Sequence, residues 1–301
     1  MTTRRDVLAA VLAAGCGAAR SQPAVAPVEV AGSRIDLSFD DGFAAPALRL
    51  AVRGWVERAA RAVSLYLGRF PLPRVELLIR AVAGAGVKGG TTYGEPEPYV
   101  RLRLGRDTEA SHLTDDWILV HEMLHLALPR LPRRHSWLHE GVATYAEGAA
   151  RVQAGLQPAQ RWWGELVRGL PRGQPEAGDA GLDHTPTWGR TYWGGALFCL
   201  QADVALRSRG DGASGLREAL QGVLAAGGSY AVAWPIEQVL ATADAAVGGR
   251  VLASLYAQHR AQAVPVDLPA LWLALGVDTA SMPPLLLDNA ALAPVRRAIA
   301  G

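Results

Sequence analysis

Cysteine is almost absent from this chain: 2 residues in 301, Cys16 and Cys199. Two cysteines cannot build a zinc ribbon. If Cys16 is removed or modified, no disulfide can form within the chain. Cys199 lies in the apolar, helix-like run LFCLQADVAL and reads as a small buried hydrophobe. Basic runs are missing as well. The 30 Lys and Arg residues face 28 Asp and Glu, a net charge of +2, and the arginines stand in ones and twos among Ala and Leu. That balance leaves no electrostatic footprint for nucleic acid and marks the arginines as solvated helix faces. Past the N-terminal segment no uninterrupted apolar run reaches the length of a membrane span, so a soluble mature body is expected. No internal repeat is visible.

The N-terminus has a distinct layout. MTTRRDVLAAVLAAGCGAAR places Arg4 and Arg5 before an apolar run from Val7 to Ala14, then small residues up to Cys16. This is the pattern of an export signal, expected over residues 1–21. Thr3 to Leu8 resembles a twin-arginine signal, which delivers folded proteins. Ala13-Ala14-Gly15-Cys16 resembles a lipobox, with Ala13 where leucine is usual, and implies membrane anchoring through a lipidated Cys16. A plain cleaved signal with an incidental cysteine fits the same residues. In each case the expectation is an exported bacterial protein, periplasmic or held at the membrane as a lipoprotein.

Residues 22–34 read as a linker leading into a short strand near VEVAG and RIDLSF, and residues 35–301 as one domain, strand-rich over 35–107 and helical over 108–301. A hydrophobic fraction of 50% is enough to bury a sizeable core. Apolar residues at helical spacing from Leu48 to Leu67 predict a helix over 47–70. VELLIRAV predicts a buried strand over 75–82, and GTTYG and YVRLRLG predict two more around 90–105. Gly94 to Pro98 lies between them and reads as a turn or a bulged edge. Further on, helices are predicted from Thr114 to a stop at Pro129, and from Ser136 past Glu147. Others follow over 159–170, 191–208, 214–225, 235–263 and 268–275, with a long loop at 173–189. Strands first and helices after define an α+β class with a small N-terminal sheet, mixed or antiparallel.

Histidine is scarce, with 7 in the chain, yet four of them fall between His121 and Glu147. Residues four apart on a helix share a face, so His121 and His125 of HEMLH offer two imidazole nitrogens to one ion. Glu122 is rotated by one step and borders the same position, where it can take a proton from a metal-bound water. Zinc lowers the pKa of that water from about 16 towards 7, so the carboxylate need only collect the proton and pass it on. The next stretch, WLHEGVATYAE over 137–147, supplies an oxygen ligand as the third. The spacing from His125 to Glu140 leaves room for a turn that lays two helices together. Three protein ligands and one water form the open arrangement of a catalytic zinc site, and two imidazoles favour zinc over magnesium or manganese.

HEMLH followed by WLHEGVATYAE resembles the gluzincin metallopeptidases, especially the glycyl aminopeptidase-like branch and its bacterial relatives. Their second-helix pattern is close to W-L-x-E-G-x-A-x-Y-x-E. The resemblance implies a zincin-like helical region and one Zn2+ per chain, held by His121, His125 and Glu140. It implies Glu122 as general base and a peptide or protein as substrate. It also implies Glu147 as a carboxylate behind the ligands that orients one of the histidines; an exposed helix acid is the alternative. Thr191-Tyr192-Trp193-Gly194-Gly195 resembles the Tyr-x-Lys-Gly element of this clan, with Gly194 in place of Lys. On that resemblance Tyr192 is the oxyanion donor, against the alternative of a tyrosine that merely packs under the second helix. The match covers roughly residues 90–205. The Gly-x-Met-Glu-Asn motif of the classical aminopeptidases is absent, so Glu95 and Glu97 read as solvated turn residues, not as anchors for a substrate amino group.

His112, His135 and His139 read as surface or cleft-wall residues, and His184 as an alternative electrophile in the long loop. Six of the 9 tryptophans fall between 117 and 193, where they line an apolar cleft or, for most, pack the core. The expected function is an exported zinc-dependent metallopeptidase that hydrolyses peptide bonds through a metal-activated water. Two alternatives stand beside it: a non-catalytic lipoprotein of the same fold acting as a binding or scaffold module, and a zinc hydrolase acting on another bond. Cleavage mode and oligomeric state have no signal in the sequence.

Overall fold

The structure is a computed structural model that describes residues 25–40, 43, 45–209 and 212–301. The expected export signal, with Arg4, Arg5 and Cys16, lies outside the described residues. No described helix is long and apolar enough to cross a membrane.

The short strand expected near VEVAG and RIDLSF is a pair of strands. Strands β1 (Val28–Val30) and β2 (Ser33–Phe39) pair antiparallel, so β1 falls within the stretch read as linker. Ala31 and Gly32, both with positive φ, make the tight turn between them. Val28, Val30 and Ile35 are buried. Helix α1 (Pro46–Leu67) then crosses to β3 (Arg74–Val82), which runs parallel to β2. Pro46 starts α1 and Gly68, at φ 74°, ends it before Phe70. Strands β4 (Val87–Tyr93) and β5 (Tyr99–Gly105) complete an order of β1-β2-β3-β5-β4. β5 is parallel to β3 and antiparallel to β4, so the sheet is mixed and β4 forms one edge.

Helices follow. Helix α2 (Ile118–His125) starts four residues later than Thr114, because residues 110–113 form a separate 3-10 turn and Asp116 takes the capping role, accepting from the Leu119 amide at 3.2 Å. It also ends at His125, ahead of Pro129, in tightened turns from Leu126 to Leu128. Helix α3 (Ser136–Gln153) and α4 (Ala159–Gly169) come next. A π-helical turn, Arg190–Gly194, leads into α5 (Gly195–Arg207). Then come α6 (Leu216–Ala225), α7 (Ile236–Val247), α8 (Val251–His259) and α9 (Leu268–Leu275). A small hairpin of β6 (Val277–Asp278) and β7 (Leu285–Leu286) precedes α10 (Ala293–Ala300). The single helix expected over 235–263 is two, because Gly248 and Gly249 adopt φ of 77° and 92°.

Buried polar groups tie the helices together. Asp203 of α5 accepts from the Tyr145 hydroxyl of α3 at 2.8 Å, from Arg207 Nε at 2.9 Å and from the Leu216 amide that opens α6 at 3.0 Å. Above this network α3 and α5 touch backbone to backbone. A Cβ at Gly141 would collide with the main chain of Gly195, and one at Gly195 with the carbonyl of Trp137. Gly141→Ala therefore sets a helix-propensity gain of about 1 kcal/mol against an overpacking cost of about 1–3 kcal/mol. The expected outcome is a net loss of stability, read as a lower urea midpoint. A midpoint equal to or above wild type would show that the contact is looser than described.

Candidate metal centre

α2 and α3 bring three ligand atoms to one point. His121 Nε2 lies 3.3 Å and His125 Nε2 3.6 Å from Glu140 Oε2. One ligand atom from each residue lies within 4.8 Å of the others. His121 and His125 are buried, and Glu140 is partly open to a cleft of about 310 Å³. Burial, reinforced by His121 and His139 nearby, holds His125 well below its usual pKa, so its imidazole is neutral and its lone pair free at neutral pH. Two imidazoles and a carboxylate, with one side open, are a donor set suited to zinc.

The base candidate comes from the same helix as the two histidines. Glu122 is buried and lines the same cleft. Burial raises its carboxyl above the ordinary range, while Thr92 opposes the shift by hydrogen bonding. The Thr92 hydroxyl lies 2.8 Å from both Glu122 Oε2 and the Glu122 carbonyl oxygen, and its single hydrogen serves one of them at a time. Helix α2 reaches edge strand β4 at a glycine: a Cβ at Gly90 would strike the Glu122 side chain. Gly90 and Thr92 were not singled out in the sequence. A glycine pair followed by threonines in an edge strand was the only available signal.

Tyr192 faces the ligands from the π-helical turn. Its ring stacks on His121 at 6.4 Å, and burial together with the charges of Glu140 and Glu122 pushes its pKa up to about 12, so the phenol keeps its proton. That turn is fixed from below. Asp183, in the long loop, accepts from His135 Nδ1 at 2.9 Å, Trp137 Nε1 at 2.8 Å and the Tyr256 hydroxyl at 2.8 Å. Arg190 pairs with Asp179 at 2.7 Å and donates to the Gly173 carbonyl. Single π-helical turns recur at functional sites because one extra residue re-aims a side chain.

The remaining predicted residues divide clearly. Glu147 is buried beside His121 in the wall of a neighbouring cavity, and burial lifts its carboxyl to about 7 against the pull of Arg151. Its hydrogen bond goes to Arg151 at 3.3 Å, while His121 Nδ1 has no partner among the described residues. The two are neighbours without the direct link expected of an orienting carboxylate. His139 is a cleft-wall residue, held by the Pro129 carbonyl at 2.8 Å. His135 belongs to the Asp183 network, and exposed His112 accepts from the Glu109 amide at 3.0 Å. His184 is exposed and does not line the cleft, so it is no electrophile for this site. Glu95 is exposed and ion-pairs with Arg130 at 3.4 Å, as a solvated turn residue would. Arg130 and Tyr230 line the cleft without having been foreseen.

No protein-family model matches the sequence, and no curated protein matches it. Solved structures do resemble it. An aminopeptidase N family protein from Idiomarina loihiensis superposes with a TM-score of 0.64 at 16% identity, over 85% of this chain and 51% of that one. The M1 zinc metallopeptidase from Deinococcus radiodurans gives 0.53 at 16% identity, over 80% and 52%. A variant of that metallopeptidase bound to the substrate Tyr-Ser-Ala gives 0.52 at 15% identity, over 80% and 52%. The chain shares the fold of these metallopeptidase structures, and it spans about half the length of these neighbours. The expected α+β class stands, with its sheet mixed.

Zinc bound by this donor set has a direct consequence. After zinc loading and dialysis, the wild type is expected to hold one ion per chain. His121→Ala and His125→Ala are expected to weaken zinc binding by more than about 10-fold. Elemental analysis checks this, and wild-type zinc content in both variants would exclude the centre.

Proposed function

We propose that the protein is a zinc-dependent metallopeptidase acting on peptide or protein substrates. The observation that carries this reading is the meeting of His121, His125 and Glu140 within 4.8 Å, with Glu122 lining the same cleft. The neighbours of like fold are M1 zinc metallopeptidases, one of them in complex with a tripeptide substrate. Zinc held by the three ligands would supply Lewis acidity to the attacking water and to the scissile carbonyl.

The chain's own groups do the rest. Glu122 accepts the proton of the attacking water at its carboxylate and returns it to the leaving amine. The Thr92 hydroxyl, on β4, is in reach to donate to that carboxylate. Its raised affinity for protons suits a group that must take one and give it back. The Tyr192 phenol, protonated across the neutral range, donates to the oxyanion as charge develops on the substrate oxygen. The cleft wall supplied by His139, Arg130 and Tyr230 borders the substrate path. A complete set of ligands with a base beside them favours catalysis over a purely binding role. The export expected from Arg4, Arg5 and Cys16 belongs to the same proposal, and membrane fractionation of wild type and Cys16→Ala tests it: equal distribution of the two removes the anchor.

Two substitutions test the assignments. Glu122→Gln keeps the shape of the side chain and cannot accept a proton. It is expected to keep its zinc and lose about 10²–10⁴ in kcat on a peptide substrate. Tyr192→Phe removes one hydroxyl and is expected to lower kcat by about 10²–10³ with KM little changed. Turnover of Glu122→Gln at the wild-type rate would remove Glu122 as the base. A kcat within a few-fold of wild type for Tyr192→Phe would leave Tyr192 as a packing residue.

A further inference from the structure

We propose that a second, aromatic cavity beside the metal ligands receives a large aromatic side chain of the substrate, next to the bond that is cleaved. The proposal rests on the peptidase reading and adds a side-chain preference to it. The cavity holds about 350 Å³ and shares His121 and Tyr192 with the metal cleft. Trp117, Trp162, Trp188, Trp193 and Leu166 line it together with Arg172.

The aromatic rings make a continuous wall from the ligands to the rim. Trp117 meets His121 edge to face at 5.6 Å, His121 stacks on Tyr192 at 6.4 Å, and Tyr192 stacks on Trp188 at 5.8 Å. An aromatic side chain lying against this wall sits one residue's reach from the ligands. Trp117 and Trp188 are 48% and 58% exposed, whereas Trp137 and Trp163 in the core are 1% and 0%. Two indoles left open at the mouth of a cavity are apolar surface that a ligand can cover.

The floor is preformed. Gly169 and Gly173 leave the space that Trp193 occupies, and Gly148 leaves the space for Trp162; a Cβ at any of the three would collide. The two acids of the wall are already engaged, Glu147 with Arg151 at 3.3 Å and Glu165 with Arg161 at 3.3 Å. A basic side chain would therefore meet carboxylates that already have partners. A phenyl or indole ring gains offset and edge-to-face contacts on several sides at once.

The test uses the zinc-loaded Glu122→Gln protein, which binds without turning over. Three blocked peptides of Gly and Ser, each with a single central Phe, Ala or Arg, are titrated by calorimetry. The Phe peptide is expected to bind about 30-fold more tightly than the Ala peptide, the effect of burying one phenyl ring. The Arg peptide is expected to gain no comparable advantage. Adding Trp117→Ala and Trp188→Ala is expected to bring the Phe and Ala peptides to within a few-fold of each other. Both positions are exposed, so folding is expected to survive; Trp188→Leu alone, expected to reduce the difference, serves as the milder second variant. Equal affinities, tighter binding of the Arg peptide, no detectable binding of any peptide, or a Phe preference that survives these changes each overturn the proposal. Cleavage of the same peptides by wild type is scored separately. A wild type that cleaves peptides without aromatic preference in binding keeps the peptidase reading and loses this one; a Phe preference in binding with no cleavage of any peptide does the reverse.

Discussion

The centre depends on close backbone approach at glycines. Gly90 lets edge strand β4 lie against Glu122, and Gly141 and Gly195 let α3 meet the start of α5 without side chains between them. A Cβ at any of the three would collide with what it faces, so a side chain there is expected to push the elements apart. Glu122 would then lose Thr92, and Tyr192 would move away from His121 and Glu140. A hydroxyl can hold a carboxylate at 2.8 Å, but not one displaced by an extra methyl group. Three glycines at two crossing points therefore place Glu122 and Tyr192.

Electrostatics follow from the same packing. Burial keeps His125 neutral, raises Glu122 and lifts Glu147 to about 7. These are the protonation tendencies a metal site uses: a free imidazole lone pair, and an acid whose proton affinity lies nearer neutrality. The ion pairs around the site absorb the remaining charge. Arg151 neutralises Glu147, Arg190 meets Asp179, and Asp183 gathers three donors that anchor the loop leading to Tyr192.

HEMLH and WLHEGVATYAE were legible because their meaning is local: four-residue spacing on a helix puts two histidines on one face whatever surrounds them. The long helices were legible by periodicity for the same reason. What was hidden depended on partners distant in sequence. A strand near VEVAG and RIDLSF was legible, but its division into β1 and β2 rests on their pairing. Gly90 and Thr92 gain importance only because β4 is the edge on which α2 packs. His184 looked reactive as a loop histidine, yet the anchoring of that loop through Asp183 leaves it exposed and outside the cleft. Glu147 has the right spacing on α3, but Arg151 one turn on competes for its carboxylate. The split of the helix over 235–263 was written in Gly248 and Gly249, whose positive φ requires both neighbours in space to be known.

The central claim is that His121, His125 and Glu140 together hold zinc in an open coordination shell. X-ray absorption at the zinc edge of the reconstituted protein addresses it most directly. The account predicts two imidazole nitrogens at about 2.0–2.1 Å, with oxygen at about 2.0–2.2 Å in the rest of the shell and no sulfur. A sulfur at about 2.3 Å, or an all-oxygen shell without imidazole, would contradict it.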